Sequence, residues 1–169
     1  MLKAGGFRDD IAGLDFNLAL NAVCKAIDSR RGLLLTGACG CGKTHLMRVL
    51  YNRFSFGGQK YWVNCNSPDD NWVLDVRQNK RIREMYGMYV FLDDLGTEVR
   101  VEYGQRTDFI SEFIREYHNR GSRRLFVTTN LDAAGLCSLY DERIVDRLME
   151  MCVVAKFNGT SHREKVVVK

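Results

Sequence analysis

The sequence predicts an α/β protein, a parallel β-sheet covered on both faces by helices. Three observations predict it. Short β-rich runs alternate with segments of helical period along the chain. A glycine-rich stretch stands where one apolar run gives way to an amphipathic segment. With 169 residues, 46% hydrophobic and 27% charged, the chain can bury one sizeable core, at roughly 150 residues per domain.

The first helix is expected from about residue 15 to 27, with Leu18, Ala22, Val23, Ala26 and Ile27 in step. Strands are expected at 33–36, 60–64, 88–92, 124–128 and 151–157, where apolar and β-branched residues cluster. Leu46, Val49, Leu50 and Phe54 mark a helix after the first strand. Phe109, Ile110, Phe113, Ile114 and Tyr117 mark another before the fourth, and these apolar positions are candidate core. Asp132 and Asp141 suit the N-caps of two short late helices, because their carboxylates can accept from first-turn N–H groups. Alternation of this kind places ligands at the carboxyl ends of the strands.

Composition narrows the function classes. One proline (Pro68), no low-complexity tract and no repeat leave no linker. The balance of 25 basic against 21 acidic residues, +4 net, permits a nucleic-acid or membrane-surface partner without requiring one. The opening residues lack the apolar run of a signal peptide. Runs such as Leu33-Leu34-Leu35 fall far short of the roughly 18 residues that span a bilayer, so a soluble, cytoplasmic protein with no membrane partner is expected. Cys24, Cys39, Cys41, Cys65, Cys137 and Cys152 form no CxxC pair or ligand cluster. They are expected as reduced thiols, mostly buried.

Gly37-Ala38-Cys39-Gly40-Cys41-Gly42-Lys43-Thr44 fits GxxxxGK[ST] at every fixed position, between an apolar strand and a helix that continues through His45. The glycines let the backbone fold tightly, so that its N–H groups and the helix N-terminus face phosphate oxygens. Lys43 would reach the β- and γ-phosphates of ATP, and the Thr44 hydroxyl would ligate Mg²⁺. Small residues at Cys39 and Cys41 suit the crowding there. The third strand, Val90-Phe91-Leu92-Asp93-Asp94, is apolar and ends in two acids, the Walker-B pattern. Asp93 would hold Mg²⁺ through water, and Asp94 would polarise the attacking water. Asn130 ends the fourth strand. If that strand lies between the other two, Asn130 can orient the lytic water. Arg143 and Arg147, four apart, share one helix face while Ile144 and Leu148 share another, and one of the arginines could act as an arginine finger.

GACGCGKT, VFLDDLGTE, LFVTTNL and YDERIVDRL, in this order, resemble the AAA+ ATPases of the DnaC/IstB type, which include replicative helicase loaders. The resemblance covers roughly residues 14 to 163. It implies a three-layer P-loop NTPase fold with five parallel strands and helices on both faces. It further implies one AAA+ domain over 1–169: an N-terminal segment and helix to 30, a nucleotide-binding core over 31–163, and a tail. It makes Asn130 the sensor-1 residue, Arg143 the trans-acting finger and Arg147 a second, nucleotide-sensing arginine. Two departures stand out. Asp94 replaces the usual glutamate, which predicts slow intrinsic hydrolysis, stimulated by assembly or DNA. Neither a helical lid after the last strand nor a helicase-docking extension before residue 14 is expected.

Arg77, Lys80 and Arg81, in the densest basic stretch, can share a helix face and contact neighbouring phosphates of single-stranded DNA. Trp72 and Tyr86 flank them and could stack on bases. Tyr103, Arg100 and Arg106 form a second candidate. The resemblance implies an ATP- and Mg²⁺-dependent helicase loader in a bacterial or phage-infected cell, a homo-oligomer on ATP and DNA with a replicative helicase as client. The alternatives are a transposition ATPase of the IstB kind, with a transposase as client, and a nucleotide-gated binding switch.

Overall fold

The computed structural model describes residues 14–53, 58–66, 85, 87–97, 101–102, 105–106, 109–122 and 124–157. Along the chain come α1 (Leu14–Asp28), β1 (Gly32–Gly37), α2 (Lys43–Arg53), β2 (Lys60–Asn64) and β3 (Tyr89–Leu95). They are followed by β4 (Val101–Glu102), β5 (Gln105–Arg106), α3 (Phe109–Asn119), β6 (Leu125–Thr129), α4 (Ala133–Leu139), α5 (Glu142–Met151) and β7 (Cys152–Phe157). Five strands form one sheet in the order β2-β3-β6-β1-β7, and every pairing is parallel. β6 therefore lies between β1 and β3, as the role expected of Asn130 requires. β1 and β6 are buried on both faces, which is why they read as unbroken apolar runs rather than alternating ones.

Each face of the sheet has its own core. Val23 and Ala26 of α1 and Leu46, Met47 and Leu50 of α2 pack on Leu33, Leu35, Phe91, Phe126 and Val153. On the other face, Ile110, Phe113, Ile114 and Tyr117 of α3 and Ile144, Val145 and Leu148 of α5 cover Leu34, Val90, Leu92 and Val127. Both late helices start as expected. Asp132 accepts from the Gly135 N–H at 2.8 Å, and Asp141 accepts from the Arg143 N–H at 2.8 Å. The buried Tyr117 hydroxyl donates to Met88 O at 2.9 Å, tying α3 to the start of β3.

Register is pinned by a row of rings. Trp62, Phe91 and Phe126 are lateral neighbours on β2, β3 and β6, stacked with centroids 5.9 and 4.7 Å apart. Tyr51 of α2 meets Trp62 and Phe91 edge-on. Contacts of this kind contribute about 0.5–1.5 kcal/mol each beyond the area they bury. A one-residue slip of any of these strands would turn that strand's ring to the opposite face.

Several details differ from the sequence reading. β3 does not stop at Leu92 but continues through both acids to Leu95, by way of a bulge. An antiparallel pair, β4 with β5, stands apart from the main sheet. Ile27 is 39% exposed rather than core, because it falls in the last turn of α1 beyond the sheet contact. Cys41, Cys65 and Cys152 are buried, but Cys24, Cys39 and Cys137 are exposed, so the thiols divide evenly. The stretch with Trp72, Arg77, Lys80 and Arg81 lies outside the described residues, as do Tyr86, Arg100 and Tyr103, and only the backbone of Arg106 is described.

Candidate functional site

At the carboxyl ends of β1, β6 and β3 lies a cleft of about 350 Å³. Its lining includes Cys39, Gly40, Gly42, Lys43, Thr44, His45, Arg48, Asp94 and Asn130. β1 delivers the chain to the cleft at Gly37, whose φ of +145° is closed to other residues. A Cβ there would stand 2.3 Å from Phe157 O, so the loop leaves the sheet in close contact with β7. α2 starts at Lys43 and aims the positive end of its dipole at the cleft.

Lys43 is buried, and its charge is met by oxygens. Nζ donates to Gly37 O at 2.8 Å, Ala38 O at 2.7 Å and Asn130 Oδ1 at 2.9 Å. A weaker contact reaches Cys41 Sγ at 3.6 Å. The buried Asp93 carboxylate is held by two hydroxyls. Thr44 Oγ1 donates to Oδ1 at 2.9 Å and Thr128 Oγ1 to the same oxygen at 2.6 Å, so Oδ2 takes part in neither bond. A hydroxyl beside a carboxylate is the hard-oxygen donor pair that suits Mg²⁺. A lysine on a glycine-rich loop at a helix N-terminus suits polyphosphate. The residues present thus fit a magnesium–nucleotide pair.

The bulge places the second acid. Leu92 pairs with Val127 and Leu95 with Thr129, so Asp93 and Asp94 together oppose Thr128. Asp94 adopts φ +58°, a left-handed conformation uncommon outside glycine, asparagine and aspartate. Its backbone is fixed at both ends. Its N–H donates to Thr128 Oγ1 at 2.8 Å, and its carbonyl accepts from Thr97 Oγ1 at 2.6 Å. Strain of this kind costs about 1–3 kcal/mol and persists only where neighbours over-determine it. Thr129 closes the far side of the bulge by donating to Leu95 O at 2.7 Å.

The structure thus gathers the P-loop residues with Thr44, Asp93, Asp94 and Asn130, and His45 lines the same cleft. Arg143 and Arg147 lie elsewhere, on α5; Arg143 is exposed, Arg147 half-buried, and neither is among the described lining residues. Sequence reasoning missed two residues. Thr128 joins the two acids, and its signal was a polar residue inside an apolar run. Arg48 lines the cleft, and its signal was its place one turn after Thr44 on α2.

Fold and cleft together define a P-loop NTPase with a DnaC-like AAA+ architecture. Superposition bears this out. A DnaC helicase loader matches with a TM-score of 0.65 at 22% identity, over 86% of this chain and 92% of that one. A DnaI structure matches with 0.57 at 18%, over 94% of both chains. AMPPCP-bound DnaA from Aquifex aeolicus matches with 0.61 at 17%, over 86% of this chain and 47% of that one. The family model described as novel STAND NTPase 3 matches residues 17–166, and the chain belongs to that family. An uncharacterized protein of Acanthamoeba polyphaga mimivirus is 38% identical over 58 residues, 33% of this chain and only 18% of that protein's length. Among the described residues no helix is long and apolar enough to cross a membrane.

Proposed function

We propose that this chain binds ATP with Mg²⁺ in the cleft, hydrolyses it slowly alone, and assembles on single-stranded DNA in the manner of a DnaC-type helicase loader. The observation that carries the reading is the cluster of Lys43, Asn130 and the hydroxyl-held Asp93 in one cleft. The fold shared with a DnaC helicase loader supports the loader reading.

In this reading the P-loop from Gly37 to Thr44, with His45, surrounds the phosphates, and phosphate oxygens replace the carbonyls that now satisfy Lys43. Thr44 and Asp93 would hold the metal, which would neutralise charge on the phosphates. Asp94 accepts a proton from the attacking water, and Asn130, released from Lys43, positions that water. The exposed Arg143 completes a neighbouring copy's cleft, while Arg147 answers to its own. Such a finger contributes about 10³–10⁵ in rate where it is in place. Assembly would therefore be the dominant control on turnover.

Phosphate release is measured with and without single-stranded DNA, for the parent and Arg143→Ala. Stimulation by DNA that Arg143→Ala abolishes, with ATP affinity retained, is expected. Release that is indifferent to both DNA and Arg143 refutes the assembling ATPase.

A further inference from the structure

A second cavity, about 290 Å³, lies at the opposite pole of the sheet, under the last turn of α1 and beside the starts of β3 and β6. Its lining includes Arg30, Arg31, Arg124, Tyr89, Phe126, Ala26 and Ile27. Among the described residues no carboxylate lines it and none of the three arginines has an ion-pair partner. Three cations thus line one small cavity, Arg31 half-buried and Arg30 and Arg124 exposed.

Two of the arginines are already fixed in place. Arg31 Nη2 donates to Met149 O at 2.6 Å, Glu150 O at 2.9 Å and Cys152 O at 2.7 Å, which immobilises the guanidinium. Its Nε is buried with no hydrogen-bond partner among the described residues. Arg124 lies over the Tyr89 ring, 5.0 Å from its centroid, and donates through Nη1 to Gly87 O. Preorganised guanidinium groups lose little freedom on capturing an anion.

Arg30 supplies the independent observation. α1 ends in a Schellman motif: the Arg30 N–H bonds Ile27 O at 3.1 Å and the Arg31 N–H bonds Ala26 O at 2.9 Å. α3 ends in the same motif, with the Gly121 N–H on His118 O and the Ser122 N–H on Tyr117 O. At α3 the left-handed position holds glycine, φ +70°, but at α1 it holds Arg30, φ +54°. A side chain there is disfavoured relative to glycine. The arginine occupies a position that favours its absence, and it lines the cavity.

We propose that this cavity binds a phosphate group. A phosphate dianion has the charge and the number of acceptor oxygens to serve three guanidinium groups, whereas a carboxylate has one charge and two oxygens. The cavity sits at the lower bound of small-ligand pockets, about 300–1,000 Å³, and takes a phosphate or its ester. The carrier is a small polyphosphate or the backbone of a single-stranded nucleic acid.

Pyrophosphate is titrated calorimetrically into the chain carrying Lys43→Ala, which removes the principal phosphate ligand of the cleft. One binding site is expected, weakened at least about tenfold by Arg30→Gly and by Arg124→Gln. Arg30→Gly suits the left-handed backbone and is expected to melt no lower than the parent, so lost binding is not lost folding. A short thymidine oligonucleotide, titrated in parallel, identifies the carrier. Oligonucleotide binding weakened by the same variants assigns the phosphate to a nucleic-acid strand, and pyrophosphate binding alone assigns it to a small molecule. Binding of neither probe, or binding that both variants leave unchanged, overturns the proposal.

Discussion

Thr128 is fully buried and one hydroxyl serves both acids, donating to Asp93 Oδ1 and accepting from the Asp94 N–H. Thr128→Val keeps the shape and removes that oxygen, so no cavity is created. The Asp93 carboxylate loses a charge-assisted bond worth about 1.5–3 kcal/mol, and the Asp94 N–H is left unsatisfied at about 1–3 kcal/mol. The two losses share one network and do not add in full. A net destabilisation of about 3 kcal/mol is expected. Thr128→Ser separates the hydroxyl from the methyl, because it keeps both bonds and removes one buried carbon, costing about 1 kcal/mol. Urea unfolding of the three proteins measures the difference, and phosphate release should fall in Thr128→Val but not in Thr128→Ser. A Thr128→Val protein no less stable than Thr128→Ser would refute the claim that this hydroxyl holds the bulge.

Three further outcomes follow from the same geometry. Gly37→Ala drives a Cβ to within 2.3 Å of Phe157 O at φ +145°, so a loss of more than about 3 kcal/mol in chemical denaturation is expected, and a variant as stable as the parent contradicts the close approach. Asp94→Glu restores the missing methylene at the bulge and should speed phosphate release at least about tenfold; an unchanged rate counts against carboxylate reach as the limit. Burial pushes the Tyr117 phenol and the Cys152 thiol up to about 12, from ordinary values of 10.0 and 9.0. Both folded values exceed the unfolded ones, so the stability tied to the neutral forms is whole below about pH 9 and is lost as the pH climbs towards 12. Roughly 3 kcal/mol is at stake for Tyr117 and roughly 4 kcal/mol for Cys152. Denaturation midpoints measured from pH 8 upward should fall, and less steeply in Tyr117→Phe.

The fold was legible wherever local pattern and tertiary position agreed. The apolar runs of β1 and β6 and the helical spacing of Phe109, Ile110, Phe113, Ile114 and Tyr117 are properties of single segments, and burial confirms them. The P-loop was legible because its backbone demands glycine at fixed offsets. The bulge was not, since it arises from how β3 pairs with β6. Asp93-Asp94 and Thr128-Thr129 were visible as polar pairs at the ends of apolar runs, but nothing in either run says that two acids face one threonine. Ile27 kept the helical period yet missed the core, because α1 outruns the edge of the sheet it packs on. Arg48 could have been found by extending the Thr44 face one turn along α2.

β1 carries the P-loop and lies between β6 and β7, both drawn from the last part of the chain. Leu33 emerges early in synthesis but must wait for Phe126 and Val153 before either of its edges is paired. Until then the central strand offers two open ladders of amide groups, and the loop after it has no neighbour in β7 to lean on. A growing chain would thus acquire its nucleotide cleft only after residues up to about 157 have emerged, in one step with closure of the sheet. Nucleotide capture is then a report that β6 and β7 have both been made and have docked on β1.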